Sequence, residues 1–383
     1  MATESQKHAR AALPRPTHVV IKIGSTLLAD ESGLLRARIK WFAREIAELR
    51  ASGLALTLVS SGAIAAGRSH LDIGESPSIP ERQAAAAVGQ IHLMAAWEAA
   101  FRRHDLQVAQ ILLDAEDLAN RHRYLNASHA LDTLHAQGIV PIVNENDTVS
   151  VDELKFGDND QLSAIVASLV SADLLVVLSD VDGLYTSNPR ENPEATRIGV
   201  VRRVDSSLLA RTRGGGSALG TGGMESKLRA ARKAATAGIP TLIADGRTRG
   251  AIARAIDPAI DEGTLVLPVG DRLGRRKHWI AFSVKPRGHL TLDDGAVRAV
   301  VERGRSLLPS GIADVAGAFD AGDCVSLLDS GGREIARGLS SYGSRETAAI
   351  RGRRSSEVEK ILGYAMGAAV VHRNDLVVLD ELE

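Results

Sequence analysis

Two lysines, two glycine-bearing turns and two runs of amide and carboxylate residues carry the chemistry in this chain. Residues 220–227, GTGGMESK, form a nearly side-chain-free segment that runs into a helical pattern containing Lys227. Glycines let backbone N–H groups approach an anion, a helix start leaves such groups unpaired, and a lysine adds a full charge, so the segment suits phosphate. Gly214, Gly215 and Gly216 precede it and suit a loop that closes over a ligand. Its spacing departs from GxxxxGK[ST], which argues against a Walker-type NTPase. Lys22 sits among Val20, Ile21 and Ile23; a lone charge in an apolar strand is costly to bury without an anion, whether a phosphate or a structural carboxylate. Residues 144–147 (Asn-Glu-Asn-Asp) and 157–160 (Gly-Asp-Asn-Asp) group carboxylates and amides. Such clusters attract an ammonium group and point to an amino acid as ligand. They also read as Asx turns with Asp158 or Asn159 capping a helix.

Together these parts fit phosphoryl transfer, which needs cations and N–H donors around phosphates, a bridging Mg²⁺ and an in-line acceptor. Lys22 and Lys227 are the candidate clamps, Gly24, Gly62, Gly222 and Gly223 the candidate backbone donors, and Asp160 and Asp180 the carboxylates able to hold a lysine or a metal-bound water. No histidine stands in an obvious catalytic place. A carboxylate acceptor, with a pKa of about 4, is already ionised at neutral pH and needs no general base.

The elements that must position these residues alternate. Apolar strand patterns at 19–23, 54–59, 108–112, 139–143, 174–178 and 241–244 are separated by helical patterns near 35–49, 81–103, 124–137, 161–170 and 225–237. Continuous apolar strands alternating with helices predict an α/β fold with a mostly parallel sheet sandwiched by helices. Ligands of such sheets sit past the carboxyl ends of strands. Gly24-Ser25, Ser60-Ser61-Gly62, residues 144–147 and Ser179-Asp180 all fall there. After Pro268 the pattern changes: residues 269–284 read as a charged linker with a first strand at 279–284. Strand-like pieces at 289–292, 323–328 and 334–339 and a helix at 295–303 then predict a small strand-rich domain over 285–373, followed by a tail, 374–383.

Composition narrows the classes. At 383 residues the chain exceeds the usual growth of one core, so two domains are expected, the larger over 17–268. Hydrophobic residues at 44% lack any run near the roughly 20 residues of a membrane span. Residues 1–16 are polar and lack the apolar stretch of a secretory signal; they read as a disordered lead-in to a cytoplasmic protein. The sole cysteine, Cys324, excludes an internal disulfide and a multi-cysteine zinc site, and reads as a small buried hydrophobe. A net charge of -1 and 3% aromatic residues argue against a whole-chain nucleic-acid binder.

Seven segments in order, VIKIGSTLL (20–28), SSGAIAAGR (60–68), AAVGQ (86–90), PIVNENDTV (141–149), FGDNDQLSA (156–164), LSDVDGLYTSNPR (178–190) and GTGGMESK (220–227), resemble the amino acid kinase family. They resemble in particular its members that make γ-glutamyl phosphate from glutamate and ATP at the entry to proline biosynthesis. This resemblance covers nearly the whole chain. It implies that Lys22 and Lys227 contact phosphate, that Asp160 orients them, and that Ser61, Asp147 and Asn159 bind glutamate. It further implies that Ser179, Asp180 and the run Thr221, Gly222, Gly223, Met224, Glu225, Ser226 and Lys227 bind the nucleotide, with Gly24, Ser25 and Gly62 along the phosphate path. ATP and Mg²⁺ are the implied cofactors, proline a feedback inhibitor and a homo-oligomer the assembly. Glu225 departs from the pattern by placing an anion where the family has a small or neutral residue, and its side chain is expected to point away.

Residues 288–295, 303–312 (RGRSLLPSGI) and 361–364 (ILGY) resemble a PUA domain. PUA domains elsewhere bind RNA, so an RNA-binding protein is the alternative, beside a family relative acting on another acid. Residues 285–373 hold 13 Lys plus Arg against 11 Asp plus Glu, a surplus of two. That is a weak footprint for RNA, and the cluster Arg351, Arg353 and Arg354 reads as a solvated face.

Overall fold

The computed structural model describes residues 10–30, 32–71, 73–74, 77–149, 159–189, 191–212, 223–269, 275–282 and 284–379. The chain forms two compact units, divided between Arg272 and Leu273.

In the first unit the chain order is β1 His18–Ile23, α1 Arg36–Ala51, β2 Ala55–Ser60, α2 Ala63–Arg68, α3 Ile79–Phe101, β3 Val108–Leu113, α4 Arg121–Ala136, β4 Val140–Glu145, α5 Asn159–Leu169 and β5 Leu174–Ser179. It continues with β6 Val200–Val201, α6 Met224–Thr236, β7 Thr241–Asp245, α7 Ala251–Ile256 and β8 Thr264–Val266. The strands form one sheet in the order β6-β8-β7-β5-β1-β2-β4-β3. From β7 to β3 all pairings are parallel, while β8 runs antiparallel to β7. The chain leaves β1 toward β2 on one side and returns to β5 on the other. The carboxyl end of β1 is therefore the switch point at which such sheets open a crevice.

Alternation along β1 divides its side chains between the two faces. Ile21 and Ile23 join a core cluster with Phe42, Ile46, Trp97, Phe101 and Ile252 of the helices on one face. Lys22 points to the opposite face, where the first turn of α5 supplies its partner, Asp160. Helices α2 and α3 touch backbone to backbone: a Cβ added at Gly67 would lie 1.8 Å from the carbonyl oxygen of Ala85, and one at Gly89 would lie 1.8 Å from that of Ala63. Only glycine fits this seam, which accounts for Gly67 of SSGAIAAGR and Gly89 of AAVGQ. Helix α7 is held from both ends. Glu45 of α1 accepts from the N–H groups of Gly250 (2.5 Å) and Ile252 (3.0 Å), and Arg10 donates to the carbonyls of Ala255 (2.7 Å) and Glu262 (2.5 Å).

The disordered lead-in expected over 1–16 is corrected for its described part. Arg10 is buried and Leu13 packs on the core, because the open carbonyls at the end of α7 offer the guanidinium fixed acceptors.

The second unit contains α8 Arg275–Phe282, β9 Gly288–Leu292, α9 Asp294–Val301, β10 Ile312–Gly317, β11 Cys324–Leu328, β12 Glu334–Ser340, α10 Ser344–Ile350 and β13 Val371–Val378. Its sheet runs β10-β9-β11-β12-β13 over a core of its own built on Leu290, Leu327, Ile335 and Tyr342. Two expectations fail here. Residues 279–282 of the strand expected at 279–284 are helical instead, since the short apolar run WIAF suits either period and the preceding charged residues extend it as α8. Of the tail assigned from residue 374, residues 374–378 lie inside β13, which pairs with β12 through Leu376, Val377 and Val378. Cys324 is buried as expected, and burial pushes its thiol up to about 12. In the basic cluster, Arg351 pairs with Asp314 at 2.8 Å, and Arg353 and Arg354 are exposed.

Candidate active site

Lys22, one residue from the end of β1, reaches Asp160 Oδ1 at 2.5 Å, and Lys227, in the first turn of α6, reaches Asp160 Oδ2 at 3.2 Å. Asp160 is 0% exposed, and both lysines are buried. Burial alone would push this carboxyl up, but the ammonium groups of Lys22 and Lys227 outweigh it and hold Asp160 below the usual carboxylate range. Two cations on one anion leave a single surplus positive charge at the switch point, in a site where charge interactions are weakly screened. The lysines, far apart in sequence, meet because α5 and α6 pack together on the face to which Lys22 points.

Gly24 follows β1 directly. Its N–H donates to the Leu178 carbonyl at 3.1 Å, so the backbone donor expected at this glycine is already spent. What Gly24 offers is room: a Cβ there would sit 3.9 Å from Lys22 Nζ and 3.4 Å from Leu178 O. Gly62, at φ 103°, opens α2 in the left-handed region that favours glycine. Ser179 is buried at the end of β5, with its hydroxyl accepting from the Val181 N–H at 3.3 Å. Asp180 follows, half-buried, and accepts no hydrogen bond among the described residues. Arg247, beyond the end of the neighbouring β7, is anchored by Asp245 at 2.8 Å and feels the charges of Asp180 and Asp182.

Gly223 caps α6, and Met224, Glu225 and Ser226 form its first turn. Glu225 pairs with Arg229 at 2.7 Å, one turn on. Gln161 of α5 donates to the Ser226 carbonyl at 3.1 Å and so fixes this turn against the helix bearing Asp160. Thr221, Gly222 and the residues 157 and 158 lie outside the described residues.

On the other side of β1 the strand ends meet through amides. Asn159 Nδ2 donates to Ser61 Oγ at 3.0 Å and to Asn144 Oδ1 at 2.8 Å; Asn144 Nδ2 donates to Gln90 Oε1 at 2.8 Å. Asp147 lies two residues past β4, half-buried in the turn that follows. Ser61 and Asn159 are thus brought into contact by the fold, and Asn144, noticed in the sequence only as a cluster member, links them to α3. Gln90 and Gln161 escaped the sequence reading. Their one signal was membership of segments already marked, AAVGQ and FGDNDQLSA.

A model of the amino acid kinase family matches residues 17–245, and a PUA domain model matches residues 288–362. The glutamate 5-kinase of Citrifermentans bemidjiense is 51% identical over 369 residues, covering 96% of this chain and 99% of the relative. That of Geobacter sulfurreducens is 50% identical over 369 residues, again 96% and 99%. Among solved structures, UMP kinase from Ureaplasma parvum is similar over 66% of this chain and 100% of its own, at 17% identity and a TM-score of 0.47. With its two lysines joined on one buried aspartate and its sequence matched from end to end, the chain belongs to the amino acid kinase family and carries a C-terminal PUA domain.

Proposed function

We propose that this protein transfers the γ-phosphoryl group of ATP to the side-chain carboxylate of glutamate, giving glutamyl 5-phosphate and ADP in the first step of proline biosynthesis. The observation that carries this reading is the Lys22–Asp160–Lys227 centre at the switch point of the sheet. The substrate follows from the relatives matched over the full chain.

The glutamate carboxylate is already a nucleophile at neutral pH. The task left to the protein is to bring two anions together and to stabilise the charge shared by the three equatorial oxygens in flight. Lys22 and Lys227 do this with ammonium groups that need no reorganisation, since Asp160 fixes both in advance. Ser61, Asn159 and Asp147 hold glutamate. Lys22, Gly24, Ser179, Asp180 and the segment Thr221, Gly222, Gly223, Met224, Glu225, Ser226 and Lys227 hold the nucleotide.

Mg²⁺ belongs to this reading as an ion carried on phosphate oxygens and water. Both oxygens of Asp160 are committed to lysines, which leaves the unbonded carboxylate of Asp180 as the group to hold a metal-bound water. The chemistry the ion would supply there is neutralisation of the charge on the phosphate oxygens, with Asp180 holding its water.

Incubation with ATP, Mg²⁺, L-glutamate and hydroxylamine is expected to yield γ-glutamyl hydroxamate. No product from folded protein, or preference for aspartate, acetylglutamate, carbamate or UMP, would overturn the assignment. The resemblance also brings inhibition by proline, homo-oligomeric assembly and a cytoplasmic location. The same assay with added proline, and the mass of the protein in solution by light scattering, test the first two. No helix among the described residues is long and apolar enough to cross a membrane.

A further inference from the structure

We propose that Gln90 is a positioning residue for the amino-acid substrate, which it orients through Asn144 and Asn159. This rests on the reading that Ser61 and Asn159 face glutamate.

The direction of the amide relay follows from one fixed donor. A backbone N–H can only donate, and that of Glu145 lies 2.9 Å from Asn144 Oδ1. This atom is therefore the carbonyl oxygen, and the other end of the Asn144 amide, facing Gln90, is its NH₂ group. Gln90 must then present Oε1, as it does at 2.8 Å. Asn159 in turn must present its NH₂ group to Asn144 Oδ1. The reverse orientation would set its oxygen against that oxygen and against the Ser60 carbonyl, 3.4 Å away.

Two consequences reach the substrate. Asn159 Oδ1 is buried and has no hydrogen-bond partner among the described residues. A buried acceptor left open is costly unless a ligand fills it. The only hydrogen-bond donor that glutamate carries at neutral pH is its ammonium group. Ser61 Oγ, accepting from Asn159, keeps its own proton for a carboxylate oxygen. One end of the relay thus distinguishes the ammonium from the carboxylate of the same molecule. At the other end stands Gln90, 9% exposed, on the residue after the Gly89 seam, where the backbone contact of α2 and α3 fixes its place.

The experiment compares Gln90→Leu, which removes the acceptor at similar volume, with Gln90→Glu, which keeps an acceptor oxygen whether or not it is ionised. Gln90→Leu is expected to raise the KM for glutamate about tenfold, with the KM for ATP and kcat within about twofold of the parent. Gln90→Glu is expected to return the KM for glutamate to within about threefold. Because Gln90 acts through Asn144, the double variant Gln90→Leu/Asn144→Leu is expected to bind glutamate no worse than Asn144→Leu alone.

An unchanged KM for glutamate in Gln90→Leu overturns the inference. So do equal rises in both KM values for both Gln90 variants, the mark of a damaged fold, and additive losses in the double variant. Asn159→Ala and Ser61→Ala separate this failure from that of the underlying reading. If they raise the KM for glutamate while Gln90→Leu does not, only the role of Gln90 falls. If they leave it unchanged, the glutamate site itself is misplaced and the inference goes with it.

Discussion

The two flanks of β1 solve the same problem, holding a polar group still inside the protein, in opposite ways. On the flank we assign to the nucleotide, three ionised side chains lock one another, Lys22 and Lys227 on Asp160. On the flank we assign to the acceptor, neutral amides and a hydroxyl are strung in series, Gln90 to Asn144 to Asn159 to Ser61. Charges suit the reacting phosphoryl group, whose transition state spreads negative charge and whose stabilisation acts on kcat. They would suit recognition poorly, because a surplus charge attracts any anion. An amide relay has direction, so it can tell a donor from an acceptor. The difference predicts that damage to the first flank appears in turnover and stability, and damage to the second in the KM for glutamate.

The sharpest way to break the contrast is Asp160→Ala. It strands two ammonium groups in a buried site, and loss of one partner from such a cluster costs about 3–5 kcal/mol. A fall of this size in the urea-unfolding free energy, with activity lost, is the expected result. The folded-state pKa of Asp160 lies below its unfolded value, so its contribution is present above the unfolded pKa of about 3.9 and is lost as pH falls through the folded value. The acid limb of the stability curve should therefore flatten in Asp160→Asn.

Lys227→Ala comes next. Removal of a charge contact in the transition state, worth about 3 kcal/mol, is expected to lower kcat by two orders of magnitude or more with a smaller effect on the KM for glutamate. A near-normal rate would take Lys227 out of the reacting centre.

Gly89→Ala attacks the second flank from beneath. Its Cβ would lie 1.8 Å from a backbone oxygen, so α2 and α3 must part, at about 1–3 kcal/mol of overpacking. Thermal melting reads the loss, and glutamate affinity is expected to weaken alongside because Gln90 moves with the seam. Smallest is Asp147→Ala, expected to raise the KM for glutamate about tenfold with little change in kcat, as befits a contact made equally in ground and transition states. An unchanged KM would contradict an ammonium-binding role for Asp147.

The parallel sheet was legible because its buried strands are unbroken apolar runs ended by small residues, and the position of Lys22 inside one of them already demanded an anion. That the anion is Asp160, and that it serves both lysines, cannot be read from spacing. It depends on which face Lys22 takes and on the packing of α5 against α6. The second unit was harder to read. Strand β13 carries His372, Arg373, Asn374 and Asp375 through its middle, so its pattern is polar although its ends are buried, and α8 hides in a run too short to show a period. The role we give Gln90 left almost no trace, since one polar residue on a long helix reads as surface until a partner across the sheet is known.

The family match begins at residue 17, before the first strand, and takes in every residue assigned here to the reacting centre. Yet Arg10 lies seven positions earlier and is buried against carbonyls of residues more than 240 positions downstream. The segment matched by the family model and what folds as a unit thus have different starting points. A chain cut to the matched segment would lose both Arg10 and, beyond residue 245, the helix α7 that it holds. The opening residues belong to the architecture of the late part of the first unit, to which Arg10 ties them.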